Sequence, residues 1–94
     1  ADESIGNLAL LDVYGRVARF LLERCEEEGD VVPEGHLIKK IPTQQHIASR
    51  IGTSRETVSR ALSEFQRRGF IEQRGKGLLV REGLDPKAVS RSRN

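Results

Sequence analysis

The chain has 94 residues, of which 36% are hydrophobic and 32% are charged, and it carries a net charge of +2. A chain of this length buries enough apolar surface for one modest core, which excludes two domains and a deep cofactor chamber. Its one cysteine excludes an intramolecular disulfide and a cysteine-based zinc site. No apolar segment approaches the roughly 20 residues that span a bilayer, so we expect a soluble, cytoplasmic protein without a membrane partner.

Charge is distributed unevenly along the chain. Residues 1–42 contain five Lys and Arg against nine Asp and Glu, a net charge of −4. Residues 43–94 contain eleven Lys and Arg against five Asp and Glu, a net charge of +6. This asymmetry favours one face that meets a polyanion, although an ordinary solvated surface is an alternative that charge alone leaves open.

A first helix is predicted over residues 12–28. Asp12 is a suitable N-cap, and Gly29 follows the last helical residue. The apolar side chains after the N-cap recur at the spacing of one helix face: Val13, Val17, Phe20 and Leu21. Residues 31–41 then contain two short β-prone segments around the turn-forming residues 33–35, which predicts a small β-hairpin.

The strongest pattern is two helices separated by a short turn. Thr43 is a suitable N-cap for a helix over residues 44–51, and Gly52 permits the tight turn that follows. Ser54 is a suitable N-cap for a second helix, predicted over residues 55–68. The second helix has a narrow inward stripe: Val58, Ala61, Leu62 and Phe65. Its opposite face is mostly basic and hydroxylic: Glu56, Ser59, Arg60, Ser63 and Arg67.

Two helices joined by a three-residue turn that contains glycine are typical of the helix-turn-helix motif, whose second helix enters the DNA major groove. The segments FIEQR and LLV, joined by GKG, predict a second hairpin, or wing, with Lys76 at its tip. The predicted fold class is therefore α+β and mainly helical: a winged helix-turn-helix with a small antiparallel sheet, over residues 12–82. Such a fold implies double-stranded DNA as the partner.

Two groups of residues are candidate DNA contacts. Base contacts are expected from the exposed side of the second helix: Arg55, Glu56, Ser59 and Arg60. Backbone contacts are expected from the helix starts, the outward face and the wing tip: Thr43, Gln44, Gln45, Ser54, Ser63 and Lys76. A solvated helix face, plain helix capping and an exposed turn lysine are the alternatives that the residues alone leave open.

Three segments carry a family resemblance: LALLDVYGRVARFLLE, PTQQHIASRIGTSRETVSRALSEFQRRGFIE and RGKGLLV. They resemble, in turn, the hinge and first DNA-domain helix, the helix-turn-helix and the wing of the CRP/FNR transcription regulators. The most specific part is SRETVSR. One departure is His46, where relatives often have an acidic residue, so the capping box of the short helix is missing. GntR-type regulators share a similar motif and are the alternative, but they do not usually carry the upstream LDVYGRVARFLLE segment.

The resemblance implies that the chain is the C-terminal part of a longer regulator. Residues 1–11 correspond to the end of a dimerisation helix and a hinge. Residues 83–94, which end in the basic and Ser-rich SRSRN, are predicted to be a C-terminal tail. The family also implies a homodimer on inverted-repeat half-sites. Activators of the family contact RNA polymerase through the turn matched by residues 32–35, and a plain surface turn is the alternative that stays open here. The sensing domain of the family precedes the matched region, so these residues imply no cofactor of their own and leave the effector unknown.

Within this resemblance, the second helix matches two recognition patterns. Cyclic-AMP receptors of the family use an Arg, Glu and Arg set, matched by Arg55, Glu56 and Arg60, to bind TGTGA. The oxygen-responsive branch uses Glu-x-x-Ser-Arg, matched by Glu56, Ser59 and Arg60, to bind TTGAT. The full match to the second pattern favours an inverted repeat that contains TTGA, while Arg55 keeps TGTGA open.

Two other classes of function compete with DNA binding. An enzyme is disfavoured because no Ser/His/acid set, Cys/His pair, nucleotide-binding loop or paired carboxylate stands out. A winged helix that serves only as a protein-interaction module usually has an apolar or acidic outward face. The arginines Arg55, Arg60 and Arg67 favour nucleic acid instead.

Overall fold

Four helices and four strands make up the part of the chain that the computed structural model describes, which is the backbone of residues 2–90 and the side chains of residues 12–89. In chain order the elements are α1 (Asp2–Glu28), β1 (Asp30–Val32), β2 (Gly35–Ile38), α2 (Gln44–Ile51), α3 (Arg55–Arg67), β3 (Ile71–Arg74), β4 (Gly77–Arg81) and α4 (Pro86–Ser90). Within residues 2–90, no helix is both long and apolar enough to cross a bilayer.

The first helix starts earlier than the sequence pattern predicts. Asp12 is not its N-cap, because α1 is continuous from Asp2 to Glu28. The carboxylate of Asp12 instead lies 3.2 Å from the guanidinium of Arg16, one turn further along the helix. Residues 8–11 are Leu-Ala-Leu-Leu, which are strong helix formers, so nothing in the sequence stops the helix at that point. One helix therefore crosses the predicted boundary between residues 11 and 12.

Both predicted hairpins are present, and together they form one four-stranded sheet in the order β1-β2-β4-β3. All three pairings are antiparallel, with Leu37 opposite Leu79 and Gln73 opposite Leu78. Gly77 permits the close approach of the two hairpins, because a Cβ at this position would lie 2.6 Å from the carbonyl oxygen of Ile38. The joining of the hairpins brings the wing against the rest of the domain.

Two apolar clusters fix the helices on this sheet. The larger cluster joins α1, α3, α4 and the sheet, with Phe65 and Leu21 among its fully buried side chains. The smaller cluster consists of Ile47, Ala48 and Val58 and holds α2 against α3. Cys25 is buried in the larger cluster, and burial, followed by the nearby charge of Glu26, raises the pKa of its thiol.

The segment predicted to be a tail is partly structured. Pro86–Ser90 form α4, and the backbone N–H of Lys87 donates to the Asp85 carboxylate at 2.9 Å, which caps the helix start. Leu84 and Val89 are buried against the larger cluster. Five helical residues are too few to show a hydrophobic period, which is why the sequence pattern missed them. Residues 91–94, most of the SRSRN end, lie outside the described residues.

Candidate DNA-binding surface

Both helices of the helix-turn-helix are capped as the sequence predicts. The Thr43 hydroxyl accepts a hydrogen bond from the backbone N–H of His46 at 3.0 Å. Gly52 ends α2 in the left-handed conformation, with φ of 79°, and donates to the Ala48 carbonyl at 2.9 Å. The Ser54 hydroxyl accepts from the backbone N–H of Thr57 at 3.1 Å and so begins α3. These caps set where α3 starts and therefore which side chains lie on each of its faces.

The rotation of α3 is fixed by its buried side. Val58, Ala61 and Phe65 have no exposed surface. At 100° per residue, Glu56, Arg60 and other side chains on the opposite side point away from the core. The structure shows this arrangement, since Arg55, Glu56, Arg60 and Ser63 are exposed and Ser59 is half-buried at the edge of the face. The helix ends at Arg67, with Arg68 as its C-cap.

The charged groups at the start of α3 are available to a ligand. Within residues 12–89, no ion pair involves Arg55, Glu56 or Arg60. Arg67, which shares the outward face, instead pairs with Glu64 one turn earlier. The first two turns of α3 therefore present two guanidinium groups and one carboxylate that are free to form new hydrogen bonds.

The start of α2 lies beside this face. Gln44 and Gln45 are exposed in the first turn, where the backbone N–H groups have no partner within the helix. The hydroxyl oxygen of Thr43 accepts the capping bond, which leaves its O–H to donate elsewhere. Capping and a phosphate contact are therefore compatible at this helix start.

The wing carries an exposed lysine at its tip, as predicted. Lys76 lies in the turn between β3 and β4, and its carbonyl oxygen accepts from the backbone N–H of Ile41 at 3.2 Å. This bond places Lys40 next to the wing tip. Lys40 is exposed and, among the described residues, takes part in no ion pair, so it is a second candidate phosphate contact. The sequence pattern missed it because no spacing rule relates positions 40 and 76.

The outer face of the sheet carries a chain of ion pairs. The sheet register places Glu72 opposite Leu79. Leu79 is fully buried but belongs to neither apolar cluster, so this pair of residues lies on the face of the sheet that is turned away from the clusters. Glu72 accepts from Arg81 at 2.8 Å and lies 3.5 Å from Arg74. Hydrogen bonds from Arg74 and then Arg81 lower the pKa of Glu72. Arg74 also reaches Glu34 at 3.4 Å, so charged side chains on this face connect the wing to the β1–β2 turn.

A cleft of about 290 Å³ connects α2, α3 and the wing. Its polar rim contains five uncharged side chains: Gln44, Ser59, Ser63, Gln66 and Gln73. The rim therefore brings together three of the predicted contact residues, from α2 and α3, with two glutamines that the sequence analysis did not single out. Gln66 lies one helical turn beyond Ser63, so helical periodicity could have predicted it. Gln73 belongs to a different element, and only the packing of the wing against the helices brings it to the rim.

Residues 15–88 match the Crp-like helix-turn-helix domain. The chain belongs to this family. The predicted resemblance is thereby confirmed, and the family region covers both helices of the motif and the wing.

Similar proteins include two curated regulators and one solved structure. The chain is 42% identical over 77 residues to the cAMP-activated global transcriptional regulator Vfr of Pseudomonas aeruginosa, covering 81% of this chain and 35% of the relative. It is 40% identical over 80 residues to the cAMP-activated global transcriptional regulator CRP of Salmonella typhimurium, covering 84% and 37%. The chain thus spans about a third of the length of these relatives.

The CO-dependent transcription factor CooA of Carboxydothermus hydrogenoformans has the same fold. It matches with a TM-score of 0.73 and 31% identity, over 95% of this chain and 42% of that protein. The predicted fold class, a mainly helical α+β winged helix-turn-helix with a small antiparallel sheet, is confirmed.

Proposed function

We propose that this Crp-like domain binds double-stranded DNA in a sequence-specific manner, as part of a transcription regulator, with α3 in the major groove. The observation that carries the proposal is the exposed first half of α3, where Arg55, Glu56 and Arg60 form no ion pair with any other described residue. Polar groups that are not engaged within the protein are suited to hydrogen-bond base edges.

Two kinds of contact follow from the arrangement. Base contacts come from the exposed side of α3: Arg55, Glu56, Ser59 and Arg60. Backbone contacts come from the helix starts, α3 and the wing tip: Thr43, Gln44, Gln45, Ser54, Ser63 and Lys76. Two of them, Gln44 and Ser63, line the cleft between α2, α3 and the wing. Phosphate contacts orient the protein on the duplex, and base contacts select the sequence. The backbone group is therefore expected to supply mainly affinity, and the base group mainly specificity.

The whole regulator is proposed to be a cytoplasmic homodimer, not an enzyme, that binds two inverted half-sites. Its relatives Vfr and CooA are described as a cAMP-activated and a CO-dependent regulator, so a shared DNA-binding fold accompanies different signals. The residues described above therefore do not identify the effector of this protein. Two α3 helices of a symmetric dimer reach successive major grooves on one side of DNA, about 34 Å apart.

The proposed half-site contains TTGA. Glu56 accepts a hydrogen bond from cytosine N4, Arg60 donates bidentately to guanine O6 and N7, and the Ser59 hydroxyl contacts the neighbouring base. Arg55 is exposed at the start of α3 and supports TGTGA as the second candidate half-site.

Site selection tests this proposal. The chain is fused to a dimeric coiled coil and used to select from a random duplex library, and the selected sites are then footprinted. We expect inverted repeats with half-sites one helical turn apart and protection on one side of the duplex. Arg60→Gln should abolish the selection of a defined half-site. The matched control is Arg19→Gln, which removes the same charge from the exposed side of α1 and should leave the selected sequence unchanged. Random output from the unmodified domain would contradict the proposal.

A further inference from the structure

The cleft between α2, α3 and β3 has a composition that differs from the exposed surface around it. Its floor is apolar and formed by buried or half-buried side chains: Ile47, Leu62, Ile71 and Leu78. Its rim consists of amides and hydroxyls, and none of its lining residues is charged. An open surface with an apolar base and an uncharged polar border fits a ligand that is itself alternately apolar and hydrogen-bonding.

The size and position of the cleft argue against a separate small-molecule site. Its volume of about 290 Å³ lies at the lower limit of small-molecule pockets, which hold about 300 to 1,000 Å³. It is also continuous with the proposed DNA surface, because Ser59 and Ser63 of α3 and Gln44 of α2 belong to its rim. A ligand bound to the exposed face of α3 extends naturally into the cleft.

The charges around the cleft favour an anionic strand. Lys76 at the wing tip and Lys40 beside it are exposed, and a backbone hydrogen bond from Ile41 to Lys76 holds these two segments together. Ile41 lines the cleft, so both lysines belong to segments that border it. The nearest wing carboxylate, Glu72, belongs to the opposite face of the sheet, where it binds Arg74 and Arg81.

We propose that this cleft seats the sugar-phosphate backbone of one DNA strand, with Gln66 and Gln73 donating amide N–H bonds to its phosphates. The proposal rests on the DNA-binding function proposed above and adds two contacts to it. Deoxyribose places C–H groups between successive phosphates, which matches an apolar floor below polar side chains. Glutamine amides are regular donors to phosphate oxygens, so no charged residue is needed at these positions.

Gln73 is pre-positioned for this role. Its side-chain Nε2 lies 3.5 Å from the carbonyl oxygen of Gly75, which places the amide near the wing tip. The sheet register places Gln73 opposite Leu78, on the same face as the cleft floor. Gln66 also lines the cleft, from the last turn of α3, so α3 and β3 each contribute one amide to the space that the strand would occupy.

Alanine substitutions at both glutamines and charges of opposite sign at Gln73 provide the test. Binding is measured by fluorescence anisotropy with the 94-residue chain and a duplex that carries one TTGAT half-site. Neutral donors release no counterions, so Gln66→Ala and Gln73→Ala should each weaken binding about three- to tenfold without changing the salt slope. Gln73→Lys should instead strengthen binding and steepen the slope by about 0.9, which is about threefold more loss between about 50 and 200 mM salt. Gln73→Glu should weaken binding more than Gln73→Ala.

Val31 is the matched control position. It lies on β1, the sheet edge opposite the wing strand β3, and its surface is 82% exposed. Val31→Lys and Val31→Glu make the same two charges at a distance from the cleft and should change affinity little at about 0.1 M salt, where screening acts over about 10 Å. Unfolding cannot mimic the expected result, because it cannot strengthen binding.

The two proposals fail differently. If the unmodified chain shows no salt-dependent binding to any duplex, the DNA-binding function itself is wrong, and the role of the cleft is wrong with it. If the unmodified chain binds but the variants at Gln66 and Gln73 behave like those at Val31, the DNA-binding function stands and the cleft does not contact the strand.

Discussion

The carboxylate of Glu34, in the turn between β1 and β2, lies 3.4 Å from the guanidinium of Arg74 on the wing strand β3. Strand β4 lies between β3 and β2, and β2 begins directly after Glu34, so this ion pair connects parts of the sheet that are not neighbours. Arg74 also lies 3.5 Å from Glu72. The turn that the family resemblance matches to a polymerase contact and the wing proposed to contact DNA are thus joined by a charged contact, and a substitution in one can affect the other.

This contact changes how a polymerase role of Glu34 must be tested. If the turn at residues 32–35 contacts RNA polymerase, Glu34→Gln in the full-length regulator should lower activated transcription severalfold with DNA binding unchanged. Transcription is measured in vitro at saturating regulator. Arg74→Gln is the matched control, because it removes the same ion pair and leaves the turn intact, so it should not lower transcription at saturation. Equal losses in both variants would show that the effect arises from the ion pair.

The ion pairs of Glu72 predict a loss of stability in acid. Hydrogen bonds from Arg74 and Arg81 lower the pKa of Glu72 in the folded state. Its contribution is therefore fully present above the unfolded pKa of about 4.3 and is lost as the pH falls through the lowered folded value. The unfolding temperature of Glu72→Gln should fall less than that of the unmodified chain between about pH 6 and pH 3. Glu82→Gln, at an exposed glutamate without an ion pair in residues 12–89, should behave like the unmodified chain.

The packing of residues 84–89 in the larger apolar cluster predicts that this end of the domain contributes to its stability. Leu84 is 4% exposed and packs in the larger apolar cluster. Leu84→Ala should lower the free energy of unfolding by about 2 to 5 kcal/mol, because it leaves a cavity. Lys87→Ala, on the exposed side of α4, should change it by less than about 0.5 kcal/mol. Urea unfolding of the two variants measures both values, and equal values would mean that residues 84–89 behave as a tail.

Local signals account for the parts of the fold that the sequence predicts well. Three features depend on contacts between residues at most four positions apart: the cap at Thr43, the left-handed turn at Gly52 and the cap at Ser54. The outward face of α3 follows from helical periodicity in the same way. The candidate base contacts could be named for this reason, because each depends on its place along one helix.

Features built from distant segments were not predictable in this way. The pairing of β2 with β4 joins residues 40 to 46 positions apart and depends on how both hairpins pack on the helices. The cleft rim combines Gln44, Gln66 and Gln73 from three elements, and the position of Lys40 depends on the bond between Ile41 and Lys76. The predicted start of α1 was wrong for a different reason. An aspartate is favoured as an N-cap, but inside a helix it can also pair with an arginine one turn later, as Asp12 does with Arg16.

The isolated domain is predicted to bind DNA weakly and with a strong dependence on salt. Residues 43–81 contain eight Lys and Arg against three Glu, a net charge of +5. Several of these charges meet phosphates, so the logarithm of the binding constant should fall steeply with the logarithm of salt concentration. Fusion to a dimeric coiled coil should raise affinity for an inverted repeat by about 10² to 10⁴. A duplex whose half-sites are moved apart by half a helical turn is the control and should lose this gain. Tight, salt-insensitive binding by the monomer would contradict the prediction.

Sequence readout by α3 gives the most specific prediction. Glu56→Ala removes the acceptor for cytosine N4 and should cost about 1 to 3 kcal/mol on the cognate site, with relaxed preference at that base pair. Lys76→Ala removes a contact to phosphate and should weaken binding to all sequences alike, with a salt slope reduced by about 1. Competition binding of the dimerised domain to matched and single-mismatch duplexes separates these two effects.

The same competition decides between the two candidate half-sites. Ser59 is half-buried at the edge of the exposed face and lines the cleft, while Arg55 is exposed at the first position of α3. If the domain prefers TTGAT, Ser59→Gly should reduce the preference over TGTGA, and Arg55→Ala should leave it intact. A hydroxyl both donates and accepts, so the loss at Ser59 should be smaller than the loss at Glu56 or Arg60. If Ser59→Gly leaves the preference unchanged while Arg55→Ala abolishes it, the TTGAT assignment is wrong and TGTGA replaces it.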